Sequence, residues 1–348
     1  MRKIRIKIIS VWFGELPSSF NAWVKSVSTN LDIDFLFLTD QVVIDYPQNM
    51  EVIVESFESF VKKMKQLYGD DLVLTDPYKM CDYKPAYGEI FMDYISGYDY
   101  WGYCDIDLVF GNLRYFFEKY ELEKYDRFLR LGHLCLYKNT PKLITLFRND
   151  ESVITPWSRV CHTNDILVFD EGINGVESIF MNEGLNLFSQ RLFADITKYK
   201  RRFTSIIHSE SSKTEVYLWE KGRVYCVFKV GNVFKREEKL YVHFQKRTMI
   251  DQIGNVNQWK AIDSFVLCQN GFVPAPENIT EAFVKKNNPY MGYFSERKEE
   301  LEGFKKYDPV LLPSNIRKEK RRKFFKQIKR IRKKIRRFIK RVILMRAA

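Results

Sequence analysis

The first third of the chain alternates between short apolar runs with strand-like spacing and amphipathic segments with helical spacing. Strands are predicted at residues 3–13, 33–40, 50–57 and 100–110, and helices at residues 17–30, 56–69 and 87–100. This order is typical of an α/β fold in which helices cover a mostly parallel sheet. Right-handed crossovers place the carboxyl ends of such strands along one edge, where ligands bind in open sheets.

Beyond residue 125 the pattern is mixed. Residues 127–139 predict strands, residues 140–150 predict a helix that begins after a Thr140 cap, and residues 216–247 predict antiparallel strands. Five prolines between residues 270 and 315 indicate a loop-rich region. The predicted organisation is a large α/β domain over residues 1–250, a loop-rich accessory region over residues 251–315 and a final helix over residues 316–348.

The final segment carries apolar residues at steps of four and three, which is the spacing of one helix face. These residues are Phe324, Ile328, Ile331, Ile335, Phe338, Val342 and Met345, and nearly every other position is Lys or Arg. Such a helix suits an interface with anionic lipid, where each basic residue contributes about 1 kcal/mol. The segment is predicted to hold the protein on an anionic membrane surface, with nucleic-acid binding as the alternative.

The net charge of +13 is concentrated in this segment. Residues 317–348 hold 17 of the 57 basic residues and one of the 44 acidic residues, which leaves 40 basic and 43 acidic residues elsewhere. The rest of the chain is therefore slightly acidic, and its charge gives no support to nucleic-acid binding. No nucleic-acid partner is expected.

Six cysteines lie far apart in apolar or aromatic surroundings and form no C-x-x-C motif, so reduced core thiols are predicted. Reduced thiols favour the cytosol. Basic and apolar residues alternate at the N-terminus, which favours a strand over a signal peptide. Because no run of 18 apolar residues occurs, no spanning helix is expected. The predicted location is the cytoplasmic face of the cell membrane.

The sharpest local signal is an aspartate pair, Asp105 and Asp107, within the predicted strand at residues 100–110. Residues two apart in a strand share one face, and two carboxylates on one face need a positive partner. A hard divalent cation meets that need through oxygen ligands. The bare motif is common in solvated loops. Here aromatic residues precede it and apolar residues follow it up to Gly111, which favours a site at the end of a buried strand.

Other candidates lie near predicted strand ends and helix starts. Phe13, Gly14 and Asp40 end the first two strands, where a nucleotide would bind, although core packing or a turn explains them nearly as well. Lys84 precedes a helix, where anions are favoured, and an exposed lysine is the alternative. Tyr87 packs either under a nucleotide or in the core.

Two acidic residues, Asp170 and Glu171, lie in a segment flanked by Gly172 and Gly175, which allow a ligand to approach the backbone. If the enzyme inverts, one of these carboxylates is a candidate general base for an acceptor hydroxyl. If it retains, the same carboxylate binds sugar hydroxyls. A surface turn is the alternative.

The segment KPAYGEIFMDYISGYDYWGYCDIDLVFGNL, residues 84–113, resembles the central block of the GT-A glycosyltransferases, especially glycosyltransferase family 8. Three later blocks agree in order, namely RLGHLCLYKN at 130–139, FDEGINGVESIF at 169–180 and YVHFQKR at 241–247. The resemblance covers about residues 4–250, and the whole arrangement also resembles uncharacterised glycosyltransferase-like proteins of bacterial surface-polysaccharide loci. It implies a GT-A-like fold in which His243 joins Asp105 and Asp107 around Mn²⁺ or Mg²⁺.

The resemblance also implies that Lys84 contacts the donor, and Lys84 or Lys246 would offset charge on a departing nucleoside diphosphate. One departure matters, because family 8 continues from this histidine into a glycine and Lys-Pro-Trp, which are missing after His243. The phosphate contacts and the stereochemical outcome therefore stay open. His243 as a core histidine is the alternative, and His133 is interpreted as structural or cleft-lining.

The predicted function is transfer of a sugar from a nucleotide-diphospho-sugar, with UDP favoured, to a glycan or lipid-linked acceptor in surface-polysaccharide synthesis. Two alternatives from other classes remain. One is a non-catalytic membrane scaffold with a degenerate transferase fold. The other is a nucleic-acid or phosphate-processing enzyme that uses the aspartates and the basic segment.

Overall fold

The computed structural model describes residues 3–149, 154–172, 175–207 and 213–307, with only the backbone of residues 304–307. The predicted helix at residues 316–348 lies outside the described residues and stays a prediction. Within the described part of the chain, no helix has both the length and the apolar character required to cross a bilayer.

Most strands fall within the predicted apolar runs. In chain order they are β1 (Ile6–Trp12), β2 (Asp34–Thr39), β3 (Met50–Val54), β4 (Tyr100–Cys104), β5 (Leu108–Phe110), β6 (Arg127–Phe128), β7 (Leu134–Lys138), β8 (Leu187–Phe188), β9 (Ala194–Asp195), β10 (Glu215–Glu220), β11 (Arg223–Val230), β12 (Val233–Lys239), β13 (Tyr241–His243), β14 (Ser264–Cys268) and β15 (Gly271–Pro274).

The helices are mostly short, and several begin at side-chain caps, of which the sequence predicts the one at Thr140. They are α1 (Phe20–Val27), α2 (Phe57–Tyr68), α3 (Met80–Tyr83), α4 (Tyr87–Ile90), α5 (Leu113–Lys119), α6 (Pro141–Ile144), α7 (Trp157–Cys161), α8 (Val176–Asn182), α9 (Val256–Ala261), α10 (Glu281–Asn287) and α11 (Tyr293–Tyr307). The Thr140 side chain accepts a hydrogen bond from the Leu143 amide, which confirms the predicted cap of α6.

The largest sheet has seven strands in the order β3-β2-β1-β4-β7-β6-β8. Four of its six neighbouring pairs are parallel, as predicted for an α/β fold, and β7 runs antiparallel to β4 and β6. Successive residues of β2 enter different hydrophobic clusters, Leu36 and Leu38 on one face and Phe35 and Phe37 on the other. Both faces of this sheet are therefore buried.

The prediction of a single strand over residues 100–110 is wrong, because the structure divides this segment into two strands that belong to different sheets. β4 pairs with β1 and β7 in the large sheet, whereas β5 pairs with β13 in a three-stranded sheet. Residues 105–107 form the bend between them. The two aspartates thus lie on a turn, where bonds from distant segments hold the backbone.

A five-stranded sheet, in the order β12-β11-β10-β14-β15, contains the predicted antiparallel strands. Its last two strands, β14 and β15, come from the region after residue 250. β14 joins this sheet by pairing antiparallel with β10. The predicted division at residue 250 stays a prediction, and the first compact unit comprises residues 1–198 and 202–290. All six cysteines are free and five are buried, as the core-thiol interpretation requires.

Among the described residues, a second compact unit contains residues 199–201 and 291–307. Its described helix is α11, whose Glu299 carboxylate pairs with Arg201 at 3.2 Å. Phe294 is exposed on this unit.

Candidate active site

Strand pairing brings His243 to the aspartate bend. β13 runs antiparallel to β5, so His243 lies opposite Leu108, and the Phe244 amide donates to the Asp107 carbonyl oxygen at 3.2 Å. On the other side of the bend, the Asp105 amide donates to the His133 carbonyl oxygen at 3.0 Å. Ligand atoms of Asp105, Asp107 and His243 lie within 4.8 Å of one another. Residues 138 positions apart thus form one polar cluster.

Asp195 orients the imidazole of His243. β9 pairs in parallel with β13, and this register sets Asp195 beside His243. The Asp195 Oδ1 atom lies 2.8 Å from His243 Nδ1 and also accepts from the Gln245 side-chain amide at 2.8 Å. A histidine whose Nδ1–H donates to a carboxylate presents Nε2 to a metal, which is the usual arrangement of metal-binding histidines.

The pair formed by Asp107 and His243 is incomplete. His243 Nε2 lies 3.6 Å from Asp107 Oδ1, which is too long for a hydrogen bond, and within the described residues Oδ1 has no hydrogen-bond partner. The other carboxylate oxygen, Oδ2, accepts from the Lys246 amide at 2.6 Å. Asp107 Oδ1 is thus buried without a hydrogen bond and faces His243 Nε2. A cation bound to both atoms would satisfy them.

The charges of this pair depend on each other. Burial opposes ionisation of both groups, but the Asp107 and Asp195 carboxylates raise the pKa of His243 to about 10. In return, despite its burial, His243 and the Lys246 amide lower the pKa of Asp107 to about 2. Without a metal the imidazolium supplies the positive charge, and a bound cation would replace its proton.

His133 lies against this cluster. Its ring stacks on His243 with centroids 4.3 Å apart, and its Nδ1 lies 2.8 Å from the Tyr241 hydroxyl. Burial, with His243 and Lys84 nearby, lowers the pKa of His133 well below its usual value. Ligand atoms of His133, Asp195 and His243 also lie within 4.8 Å of one another. A neutral, stacked His133 therefore supports one face of the His243 ring.

Lys84 links the aspartate bend to the predicted acidic segment. Its ammonium lies 2.7 Å from Asp105 Oδ1 and 3.4 Å from Asp170 Oδ2, and it donates to the Gly132 carbonyl oxygen at 2.8 Å. Burial opposes its charge, but these two carboxylates outweigh burial and hold its pKa well above the usual range. The alternative of an exposed lysine is excluded, because Lys84 is 7% exposed.

Asp170 is buried next to Lys84. Burial raises the pKa of Asp170 to about 7, and the nearby Glu171 and Asp105 carboxylates add to the rise against the opposing Lys84. A Cβ atom on Gly132 would lie 2.0 Å from Asp170 Oδ2, so only glycine permits this approach. The Glu171 carboxylate accepts from the Gly132 amide at 2.8 Å. The surface-turn alternative therefore fails for Asp170.

Lys246 lies in a tight backbone turn after β13. Gln245 and Lys246 have φ values of 49° and 58°, a left-handed pair that directs the Lys246 amide at Asp107. The Lys246 ammonium lies 3.5 Å from the centre of the Tyr78 ring. Tyr78 is half exposed, so this contact is open to solvent.

The remaining predicted nucleotide contacts have structural partners. Phe13 packs against Phe57 at a centroid distance of 5.1 Å, and Tyr87 is buried with its hydroxyl directed at the Met80 carbonyl oxygen. Asp40 accepts from the Gly14 amide at 2.8 Å and thereby joins the ends of β1 and β2. Their nucleotide-binding roles stay predictions.

Several residues around the cluster had no signal in the sequence. Asp195 and the pair Lys79 and Asp82 belong to none of the quoted blocks. Gln245 lies in the block at 241–247, but the sequence assigns it no role, and the sequence indicates only a structural or cleft-lining role for His133. The register of β9 against β13 places Asp195, and nothing local to residues 187–200 indicates that pairing.

A model of a family of unknown function, DUF6625, matches residues 8–276. Comparison with curated proteins gives no significant match.

Three solved structures show distant similarity. Mouse xyloside xylosyltransferase 1 in its apo form is 11% identical over 71% of this chain and 99% of its own, with a TM-score of 0.38. The galactosyltransferase LgtC in complex with donor and acceptor sugar analogues is 11% identical over 54% and 75%, with a TM-score of 0.31. The glycosyltransferase GlyE of Streptococcus pneumoniae TIGR4 is 14% identical over 54% and 45%, with a TM-score of 0.28. At such values the function has to be inferred from the site itself.

Proposed function

We propose that this chain, which belongs to the family of unknown function DUF6625, is a metal-dependent glycosyltransferase with a GT-A-like fold. The observation that carries the proposal is the meeting of Asp105, Asp107 and His243 within reach of one cation. Two carboxylates and an imidazole suit Mn²⁺ or Mg²⁺. The buried Lys84 and Asp170 lie directly beside this set.

The proposed reaction transfers a sugar from a nucleotide-diphospho-sugar to a hydroxyl group. The bond between the anomeric carbon and the diphosphate oxygen breaks, and the electron pair leaves with the nucleoside diphosphate. The acceptor oxygen bonds to the anomeric carbon and loses its proton. A bound cation would offset the charge that develops on the leaving diphosphate.

The protein groups have distinct roles in this scheme. The carboxylates of Asp105 and Asp107 and the Nε2 atom of His243 hold the cation, while Asp195 fixes the His243 ring. A carboxyl with a pKa near 7 both accepts and releases a proton at neutral pH, which suits Asp170 as general base in an inverting reaction. In a retaining reaction the same group, with Glu171, binds sugar hydroxyls.

The proposed donor carries UDP, and the proposed acceptor is a glycan or lipid-linked oligosaccharide. Lys246, whose side chain is open to solvent, is the proposed cation for the diphosphate. The basic segment at residues 317–348 would keep the enzyme at an anionic leaflet, next to a lipid-linked acceptor held in the same membrane.

The decisive experiment is calorimetric titration of UDP and GDP into the full chain, with Mn²⁺ and with EDTA. Binding that requires Mn²⁺, that disappears in Asp107→Asn and that survives in the exposed control Asp93→Asn is expected. Equal binding in EDTA, or binding retained in Asp107→Asn, would contradict the proposed site. No binding of either nucleotide would favour the scaffold.

Membrane attachment has a separate test. Flotation with vesicles that contain anionic lipid is expected for the full chain and not for a chain that ends at residue 316. Flotation of both chains, or of neither, would contradict attachment through residues 317–348.

A further inference from the structure

An ion pair with no solvent exposure lies outside the proposed metal site. The Lys79 ammonium and the Asp82 Oδ2 atom are 2.8 Å apart, and both side chains are 0% exposed. They lie one turn apart in an unbroken run of helical turns from Pro77 to Ile90. Burial of two charges costs more desolvation than a simple pair recovers, unless further hydrogen bonds complete it. The additional hydrogen-bond partners of Lys79 and Asp82 therefore indicate which part of the fold this pair holds in place.

Among the described residues, the further hydrogen-bond partners of the pair are backbone groups of one distant segment, residues 165–169. Asp82 Oδ2 accepts from the Leu167 amide at 2.8 Å, and Asp82 Oδ1 accepts from the Phe169 amide at 2.9 Å. The Lys79 ammonium donates to the Asp165 carbonyl oxygen at 2.6 Å. One buried ion pair thus binds alternate peptide groups of a single loop.

The residue between the two bound amides has an unfavourable backbone conformation. Val168 has a φ of 55°, in the left-handed region that β-branched residues avoid. The residue is 45% exposed, so core packing does not hold it there. Asp82 accepts from the amides on either side of Val168, and the Val168 carbonyl oxygen accepts from the Glu171 amide at 3.4 Å. Local strain of this kind is concentrated at functional sites.

The loop leads directly into the acidic segment. Asp170 follows Phe169, and the Asp170 carbonyl oxygen accepts from the Arg127 guanidinium at 3.1 Å and the Tyr103 hydroxyl at 3.3 Å. Its carboxylate then meets Lys84, which lies five residues after Lys79 on the same run of helical turns. One helical segment therefore holds both the backbone of the loop and the carboxylate that it presents.

We propose that Lys79 and Asp82 are positioning residues that hold the loop at residues 165–169 and thereby set Asp170 beside Lys84. Neither of them belongs to the metal cluster of Asp105, Asp107 and His243. The inference rests on the proposed function for the role of Asp170 in transfer, but the positional claim can be tested without any substrate.

The first test uses the unaltered full chain. Amide hydrogen exchange is expected to protect Leu167 and Phe169 at least a hundredfold more than the neighbouring exposed Ile166 and Val168. Uniformly fast exchange across residues 166–169 would overturn the proposal, because the carboxylate would then not bind this backbone.

The second test is a double-variant cycle with Asp82→Asn and Asp170→Asn, in EDTA. The Asp170→Asn substitution is expected to shift the urea midpoint by different amounts at pH 5 and pH 7.5, because Asp170 titrates in its buried position. In the Asp82→Asn background this pH dependence should disappear, since the released carboxyl would reach water. Unchanged pH dependence in that background would overturn the proposal. If Asp82→Asn does not fold, Lys79→Gln takes its place in the cycle, with the same two outcomes.

The third readout addresses function. UDP release from UDP-glucose or UDP-galactose is expected to fall at least tenfold in Asp82→Asn, with Mn²⁺-dependent UDP affinity within twofold of the unaltered chain. The double variant should equal Asp170→Asn within twofold, and independent additive losses would contradict positioning. If the stability cycle shows coupling but no UDP-sugar is turned over, the positioning stands and the transferase proposal fails.

Discussion

Two buried ion pairs of this protein differ in how completely they are satisfied. Lys79 and Asp82 are 2.8 Å apart and have three backbone partners in the loop at residues 165–169. His243 and Asp107 are 3.6 Å apart, and Asp107 Oδ1 has no hydrogen-bond partner among the described residues. Backbone groups of the fold complete the hydrogen bonds of the first pair, which we call the closed pair. The second pair, which we call the open pair, keeps an unpaired oxygen that could bind a cation. This difference in geometry distinguishes a pair whose polar atoms are satisfied by the fold from a pair that could hold a cation, and composition alone does not.

The largest effect is expected from breaking the closed pair. Lys79→Met leaves a buried carboxylate without its cation, so the free energy of unfolding should fall by about 3–5 kcal/mol in urea denaturation. Lys62→Met, which removes a solvent-exposed pair with Glu58, serves as control and should cost less than about 1 kcal/mol. A loss of similar size in both variants would show that the Lys79 pair is not closed.

A third buried carboxylate, Asp170, sharpens the comparison because it is only loosely paired. Burial raises its pKa to about 7, so the folded state holds the proton more tightly than the unfolded state, where the pKa is about 4. The free energy of unfolding should therefore fall as pH rises between these values. An asparagine at position 170 cannot ionise, so the Asp170→Asn variant should avoid this loss of stability, which is on the order of a few kcal/mol. The measurement is urea denaturation of both proteins in EDTA at pH 4.5, 6 and 7.5. Parallel curves for the two proteins would refute the buried position.

A divalent cation should stabilise the protein through the pair of His243 and Asp107, and the pair of Lys79 and Asp82 should have no part in this effect. Mn²⁺ at a hundred times its Kd should increase the free energy of unfolding by about 2.7 kcal/mol, measured by urea denaturation with and without the ion. Asp107→Asn should abolish this increase, and Lys79→Met should keep it. An increase that persists in Asp107→Asn would mean that the cation binds elsewhere.

The smallest expected effect is the release of one proton from His243 when a cation binds to the pair of His243 and Asp107. The pKa of His243 is raised to about 10 in the metal-free protein, so a cation has to displace the Nε2 proton. Mn²⁺ affinity should rise about tenfold, or about 1.4 kcal/mol, per pH unit between pH 6.5 and 8.5. Calorimetry in two buffers of different ionisation enthalpy should count one proton released, and zero release would exclude His243 as a ligand.

Some of this organisation was visible in the sequence because it follows from local patterns. Alternation predicts β1, a short apolar run predicts β2 and helical spacing predicts α2, while Thr140 predicts the start of α6. Asp105 and Asp107 stand out because two acids interrupt an apolar run. The same local view predicted a single strand through them, because periodicity does not show that the chain leaves one sheet for another at residues 105–107.

By itself, the sequence determined which segments are apolar enough to form strands and helices, and which polar residues interrupt them. Only the tertiary structure decided which of those polar groups meet. The pairing of β9 with β13 brings Asp195 to His243, and the helical turns after Pro77 bring Asp82 to a loop 85 residues away. The physical reason is that burial makes an unpaired charge costly, so each buried group must find its partner wherever the fold places one.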